Sequence, residues 1–584
     1  MTKATILDLD KVEQEEKSGS IFCLRGSQKF DSVPELEDGL IKAINYEVRE
    51  ELLKLPEQKL DGQSFLRALG WNNTSIWFYH KFRLYFDVRN VLYDIRRIEI
   101  LAEKFDSLLI ITEQSLFKEY NFPNHVVVEY RPRKNRINKV ALFNFLFTSF
   151  LRLLLGWVNQ KTISNKTVLI DNRASYRHTL SSKGTTAFLN SYFFELSSLF
   201  KKSELINLDI LPIPKFDKVF PFSWKNIIAP DDRHRIFEES ILFRGWFSAS
   251  VNQLTESTSS TIKSQLESAK ETVSFTSIQK LFIARLLELQ PTTRLYLKKY
   301  FCYDKYLNRK RPKKIVGIDE YSPNMRLIHE SAKQNGSTSI GVQHGTMHEL
   351  HPGYLYSTIE MDMMPIPNKT LVWGDRWKRF LTSDGNYPPD RLSIVGQLRT
   401  DLISTLPESE HKDQLVVLFA SQPQRDFRLR RLTAESVFKA AKQFTNCTLI
   451  LKPHPLETDL DYYRQIADKC GCQNYEIDQK TDLYVLLKKC DVLITSFSTV
   501  GTEAVYFKKP LIIFDPLDQD VMKYMSDGVG LQAKNAFDIE QHLQHISDGK
   551  IVVSPTSQNI FISENAYKID GNVGNRVVQE ISLI

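Results

Sequence analysis

Along the chain, short unbroken runs of Val, Ile and Leu alternate with stretches of helical period. SLLIIT (Ser107–Thr112), VVVEY (Val126–Tyr130) and TVLIDN (Thr167–Asn172) read as strands, followed by KIVGID (Lys314–Asp319), TSIGVQ (Thr338–Gln343), TLVWG (Thr370–Gly374) and LSIVG (Leu392–Gly396). Runs that do not alternate with polar residues mark strands covered on both faces. Helical stretches between them imply βαβ units and parallel sheet. A second series starts after the polar linker TLPESEHKDQ (Thr405–Gln414), with strands at LVVLFA (Leu415–Ala420), CTLILK (Cys447–Lys452), VLITSF (Val492–Phe497) and PLIIFD (Pro510–Asp515). The pattern predicts an α/β protein of two doubly wound halves facing a cleft, and ligands of such sheets sit outside the carboxyl ends of the strands. It divides the chain into a helical, irregular extension over 1–65, a first Rossmann-like domain over 66–405 with helical insertions near 131–160 and 245–300, a second over 413–555, and a tail over 556–584 that returns to the N-terminal domain. SASVNQLTESTSSTIKSQLESAKETVS (Ser248–Ser274) is polar throughout and reads as an exposed helical excursion.

Composition narrows the function classes only a little. The 584 residues are 42% hydrophobic and 25% charged, with 77 basic and 70 acidic side chains giving a net charge of +7. This is a globular composition, basic enough for an anionic ligand or membrane surface, too dilute for nucleic acid, and without an RNA- or DNA-binding signature. Six scattered cysteines with no C-x-x-C pair read as reduced thiols of a cytoplasmic protein. The polar N-terminus lacks the apolar core of a signal peptide.

RPRKNRINK (Arg131–Lys139) runs into VALFNFLFTSFLRLLLGW (Val140–Trp157). The apolar part approaches spanning length, but Asn144 and Arg152 interrupt it. Basic flanks beside an aromatic-rich apolar helix suggest peripheral contact with an anionic leaflet, placing the protein at the inner face of the cell membrane. Burial within a large domain is the competing reading.

The polar clusters lie at strand tips. LILKPHPLE (Leu449–Glu457) carries Lys452 and His454 on a turn stiffened by Pro453 and Pro455, a combination suited to phosphate. In DVLITSFSTVGTEAVYFKKPLIIFD (Asp491–Asp515), Ser496, Ser498 and Thr499 stand where a strand enters a helix, with Glu503 one turn further on. Hydroxyls and free N–H groups there suit an anion, and Glu503 suits ribose hydroxyls. LFASQPQRD (Leu418–Asp426) offers Gln422 and Arg425 to a base, sugar or phosphate. VLIDNRASYRHT (Val168–Thr179) offers Arg173 and Arg177 to an anionic acceptor.

Gln343-His344-Gly345, Gln422-Pro423, Lys452-Pro453-His454-Pro455, and Ser496-x-Ser498 with Glu503-Ala504 together resemble the GT-B glycosyltransferases of bacterial surface-polysaccharide assembly. The group holds capsule Kdo transferases, polysialyltransferases and CDP-glycerol glycerophosphotransferases. The resemblance covers about 310 to 520. It implies a GT-B fold and donor phosphates on His454, Ser496, Ser498 and Thr499, with Glu503 on the nucleotide. It implies a reacting centre near His344-Gly345-Thr346, by analogy with the His-Gly-Thr of the glycerophosphotransferase branch. That branch has Arg before its His-Pro where this chain has Lys452. That departure, with a different Ser-Ser run, speaks against a teichoic-acid-type polymerase. The group resemblance implies metal-independent, inverting transfer of a sugar, with a lean to CMP-linked acidic sugars, from a nucleotide-sugar donor on the 413–555 domain to a surface-glycan or lipid-linked acceptor on the 66–405 domain. Glycerol- or ribitol-phosphate transfer and non-catalytic binding are the alternatives, and no cofactor is expected.

GVQHGTMHELHPGY (Gly341–Tyr354) holds His344, His348 and His351. Their spacing would suit zinc if the stretch were helical, but Gly345 and Pro352 interrupt any helix and no H-E-x-x-H is present. His344, at a strand tip, is instead a candidate base beside Asp319 and Glu320 on the neighbouring tip. His348 is a candidate for acceptor contact.

Overall fold

The computed structural model describes residues 2–8, 20–24, 31–132, 139–158, 163–171, 176–201, 204–211, 234–272, 274–318, 320–407, 414–422, 427–454, 457, 459–550 and 553–584. Among them are three parallel sheets of the same winding. In the first, strands run in the order Asp31–Ser32, Ser20–Cys23, Lys3–Asp8, Ser107–Thr112, Val126–Tyr130. In the second the order is His234–Phe237, Leu205–Leu211, Thr167–Asp171, Lys314–Ile318, Thr338–Val342, Lys369–Val372, Leu392–Ile394. In the third it is Tyr475–Ile477, Cys447–Lys452, Leu415–Ala420, Val492–Thr495, Leu511–Phe514, Leu531–Ala533. In each sheet the first strand in sequence lies inside, with the next two to one side and the later ones to the other. The chain thus reverses direction beside that first strand and leaves a crevice at its carboxyl end.

The second and third sheets are the two expected halves, and their strands are the unbroken apolar runs: KIVGI, VLIT and LIIF are buried at every position. The N-terminal extension differs from expectation. It is helical over Asp38–Lys54, but Lys3–Asp8 is an inner strand of a sheet that also takes SLLIIT and VVVEY, with the helix Trp77–Ala102 packed in the same unit. A boundary at 65/66 therefore cuts through one packed unit. The reason is pairing over distance: Ala4 to Leu7 lie beside Leu108 to Ile111, a partner that no local pattern announces.

The Ser248–Ser274 stretch also differs from an exposed excursion. Its helix, Ala249–Glu271, buries Val251, Thr255, Ile262, Leu266 and Ala269, a narrow stripe at helical spacing. With the helices Ser277–Glu288 and Gln290–Lys310 it shares one core with the first sheet and one face of the second. Buried ion pairs cross this core. Lys81 Nζ lies 2.8 Å from Glu360 Oε1, and Trp77 Nε1 donates to the same oxygen at 2.7 Å. Burial lowers the Lys81 pKa and the Glu360 carboxylate opposes it.

The C-terminal helix Val573–Leu583 leaves the third sheet and packs Val573, Val577 and Ile581 against Leu169, Val316, Ile340 and Leu371 of the second. Asp401 accepts from Val573 N–H at 3.0 Å and Gly574 N–H at 2.9 Å at its start. At its end the Lys314 ammonium donates to the carbonyls of Ile581 and Ser582, the favoured sign of charge for a helix C-terminus. The two halves are thereby joined twice, through the 405–414 linker and through this helix.

Two fully buried histidines make the fold acid-sensitive. Burial pushes the imidazoles of His80 and His329 down to about 3. In the unfolded chain they titrate near about 6.5. Between these values the unfolded state binds more protons, so stability is complete above the unfolded pKa and is lost as pH falls through this window. Each histidine accounts for at most about 1.4 kcal/mol per pH unit there. The expected outcome is a thermal midpoint that drops on acidification below about pH 6.5, with a shallower drop in His329→Gln. A slope unchanged by that substitution contradicts the assignment.

Candidate functional site

Between the second and third sheets lies a cavity of about 480 Å³. One wall comes from the second sheet: Gln343 to Thr346, Trp373 and Gly396 to Arg399. The facing wall comes from the third: Ser421, Lys452 to His454, Gln479 to Leu483, and Ser498 to Glu503.

The first wall is built around Gln343, which sequence reasoning passed over as part of a motif. Its Nε2 donates to the carbonyl of Gly345 at 2.9 Å, and its Oε1 accepts from Trp373 N–H at 2.8 Å. Trp373 Nε1 donates back to the Gln343 carbonyl at 3.1 Å. The turn carrying His344 is thus tied to the neighbouring strand tip. Around it, the His344 ring lies at 28° to Tyr321, with centroids 6.0 Å apart, and edge-on to Tyr192 at 5.4 Å. A Cβ placed on Gly345 would meet nothing within 4 Å, so the turn presents open space beside the imidazole.

Tyr321 also separates the histidines. Its ring meets His351 edge-on at 4.6 Å on the side away from the strand tip, and Phe82 of the long N-terminal helix packs on both. Burial pushes His351 down to about 3, helped by His348 beside it. Among the described residues no group of three His, Cys, Asp or Glu side chains is placed to hold a metal ion. His348 is exposed and outside the cavity lining, so contact with an acceptor in the cavity has no support from its position.

Glu320 is a correction. It is buried, with Oε2 accepting from Thr370 Oγ1 at 2.9 Å and Oε1 accepting from Tyr387 OH at 2.7 Å. Its carboxylate fills the space above Gly341, where a Cβ would come within 2.2 Å of it. It points into the core and does not line the cavity. Strand-tip position places the Glu320 backbone correctly, but the slot at Gly341 decides where the carboxylate goes. Asp319, Arg173 and Arg425 lie outside the described residues, as does the side chain of Arg177, whose backbone is in the strand Tyr176–Leu180.

The second wall brings Lys452 and His454 together with Ser498, Thr499 and Glu503 on one cavity. Lys452 Nζ donates to the carbonyls of Gln479, at 2.9 Å, and Thr481, at 2.5 Å. Burial lowers its pKa. The turn after Lys452 is organised by Glu457, another residue whose role sequence reasoning missed. Its carboxylate accepts from His454 N–H at 2.9 Å, from Tyr463 OH at 2.6 Å and from Ser421 Oγ, and pairs with Arg430 at 2.9 Å. A lone acid closing an otherwise apolar and basic loop was the available signal.

Ser498 Oγ accepts from Val500 N–H at 3.2 Å at the start of the short helix Val500–Tyr506. Gly501 is needed there, because a Cβ would fall 2.8 Å from the Tyr524 ring that braces the turn. Two donor candidates stand back from the cavity. Ser496 is buried, with its Oγ 3.5 Å from Thr433 Oγ1. Gln422 Oε1 accepts from Phe497 N–H at 3.1 Å, fixing one strand tip to the next. Both shape the wall without lining it.

Arg399 and Asp482 were not foreseen. Arg399 belongs to the second sheet's side, and its Nη2 donates to both oxygens of Asp482 on the other, at 2.7 and 2.8 Å. The guanidinium lies 4.2 Å above the Tyr484 ring. Thr179 Oγ1 donates to the same carboxylate at 2.6 Å. Glu503 sits beside this cluster. Burial raises its pKa and Arg399 works against the shift.

Residues 410–583 match the model of a family described as CDP-glycerol:poly(glycerophosphate) glycerophosphotransferase. The matched stretch holds the whole second wall and the returning C-terminal helix. No curated protein matches the chain at a significant level. Among solved structures, a putative UDP-N-acetylglucosamine 2-epimerase from Listeria monocytogenes is 13% identical, with a TM-score of 0.42 over 72% of this chain and 96% of its own. A UDP-GlcNAc 2-epimerase from Neisseria meningitidis bound to UDP-GlcNAc is 11% identical, with a TM-score of 0.42 over 72% and 100%. The wall teichoic acid polymerase TagF is 12% identical, with a TM-score of 0.41 over 77% and 98%.

Glu457→Ala removes the acceptor of four donors at once and leaves the Arg430 charge without its partner. Loss of one member of a buried pair costs roughly 3 kcal/mol. Chemical denaturation is expected to show that drop, and a loss below about 1 kcal/mol would mean that the turn does not depend on this carboxylate.

Proposed function

We propose that the protein is a transferase that takes a group from a cytidine nucleotide to an acceptor hydroxyl bound in the cleft. The observation that carries this is the facing of His344, on one wall, with Lys452, His454, Ser498, Thr499 and Glu503 on the other, around one cavity. A base and an anion-binding surface on opposite sides are what displacement of a nucleotide phosphate requires.

In the scheme, the acceptor hydroxyl lies against the His344 turn and gives its proton to the imidazole. With CDP-glycerol as donor, its oxygen attacks the phosphorus that bears glycerol. The bond from that phosphorus to the bridging oxygen breaks, CMP leaves with the electron pair, and a phosphodiester forms. With a CMP-linked acidic sugar, the same oxygen attacks the anomeric carbon, the carbon–oxygen bond to CMP breaks, and a glycoside forms. CMP departs in both. Its growing negative charge falls to the Lys452 ammonium, the His454 imidazole and the hydroxyls of Ser498 and Thr499, so the scheme assigns no role to a divalent cation. Glu503 takes the ribose hydroxyls.

The family match over 410–583 supports the glycerophosphate donor, with which His344-Gly345-Thr346 agrees, beside the sugar donor to which the group resemblance leans. The acidic-sugar donor stays as the second reading through the motif resemblance. Both predict that CMP binds.

In a thermal-shift panel of CMP, CDP, UDP, GDP and dTDP ligands, cytidine nucleotides are expected to raise the midpoint by the increment that RT ln(1 + [L]/Kd) supplies. His454→Ala and Glu503→Ala should lose this response. His344→Asn should keep it while lowering the turnover of CDP-glycerol by about 10²–10⁴-fold. Phosphorus NMR of the product separates a phosphodiester from free CMP beside a glycoside. A cytidine response unchanged in both second-wall variants sinks the site, and full turnover in His344→Asn sinks the base.

A further inference from the structure

We propose that the helix Lys139–Val158 is an interfacial anchor that lies flat on an anionic lipid bilayer. The inference is independent of the chemistry proposed for the cleft. The helix exposes Val140, Phe143, Phe147, Phe150 and Leu154, spaced three and four residues apart, and widens this stripe with Leu142 and Leu146. Val140 is 64% and Phe143 68% exposed. On a 3.6-residue period these seven side chains span an arc close to half the circumference.

The opposite side is fixed to the protein. Arg152 is buried, 3.0 Å from Glu239, and its guanidinium lies 5.0 Å from the Phe237 ring. Leu155 packs on the same ring. Burial pushes Glu239 up to about 7, with Arg152 opposing. Arg152, which breaks the apolar run in sequence, is therefore the inward anchor, and the apolar face is turned out.

Charge selects the occupant. From Arg131 to Val158 the sequence has six basic residues and no acidic one, and five of the six stand at or before Lys139. Arg131 pairs with Glu129 at 2.7 Å, and the sequence from Arg133 to Lys139 adds four basic residues and no acidic one. A cationic approach followed by a Phe-rich apolar face is the composition of a helix that rests at the headgroup level of anionic lipid. A second copy of the chain would bring the same unbalanced cations, and two-helix seams are narrower than this face. Among the described residues no helix is long and apolar enough to cross a membrane, and the buried Arg152 ties the inner side of this one to the protein.

The test is co-sedimentation of the full chain with unilamellar vesicles of phosphatidylcholine alone or with about one third phosphatidylglycerol. The expected result is binding to the anionic vesicles that weakens with salt, and partitioning about a hundredfold weaker for Phe143→Ser/Phe147→Ser. Because both rings are exposed, that variant should melt like the wild type. Val140→Ser/Phe150→Ser, from the same stripe, serves as a second variant should the first not fold. No binding by the wild type overturns the proposal, as does equal binding by a folded stripe variant. A lipid-free dimer that the stripe variant dissolves overturns it too, since a second copy would then be the occupant.

Discussion

The two walls of the cleft meet at one carboxylate, Asp482, whose two oxygens both accept from Arg399 Nη2. Each partner is mostly shielded, with the guanidinium on Tyr484 and the carboxylate also held by Thr179. Such a pair contributes little net stability, because desolvation offsets most of the attraction. Its value is geometric. One guanidinium nitrogen shared between two carboxylate oxygens, with the plane of the group laid on a ring, fixes distance and orientation together. Asp482 also accepts from Tyr484 N–H at 2.8 Å, so the pair is keyed to a helix start and through it to the third sheet. Glu503 on the same cluster means that whatever occupies the second wall feels the contact that sets the gap.

The two walls are stiffened by different means. The first uses backbone and ring contacts: Gln343 and Trp373 lock the turn, and Tyr321 with Phe82 supports it from the first sheet. Buried Arg326, donating to the carbonyls of Phe78 and Gly353, fastens that support to the long N-terminal helix. This explains why the first sheet and its helices are packed onto the pair of sheets that forms the cleft. It backs the loop on which His344 stands. The second wall uses charge: Glu457 gathers His454, Ser421, Tyr463 and Arg430 on one carboxylate. Neutral contacts hold the turn of His344, while an internal ion pair holds the turn of His454.

What the sequence disclosed follows from how local each feature is. LVVLFA could be bounded to the residue because a strand buried on both faces has no polar position to blur it, and in CTLILK the buried centre Leu449–Leu451 stands between Thr448 and Lys452. LINLDIL (Leu205–Leu211), with Asn and Asp inside it, did not read as a strand, although it pairs with Thr167–Asp171. Lys3–Asp8 was hidden by a partner about a hundred residues away. The same holds in the site. Lys452, His454, Ser498, Thr499 and Glu503 were legible because strand tips announce themselves. Arg399, Gln343 and Glu457 act through partners that only the fold brings near, and Glu320 was misread because a glycine on the adjacent strand redirects it.

That misreading has a consequence for the chemistry. A carboxylate held by two hydroxyl donors and enclosed in the core cannot reach a hydroxyl in the cleft without breaking both bonds and exposing the slot above Gly341. A base must first be within reach of the proton it takes. On the described part of the first wall, His344 is the titratable side chain at the strand tips that lines the cavity, flanked by the open space of Gly345. Of the two strand-tip candidates, the imidazole and not the carboxylate faces the cavity, on the turn that Gln343 holds in place.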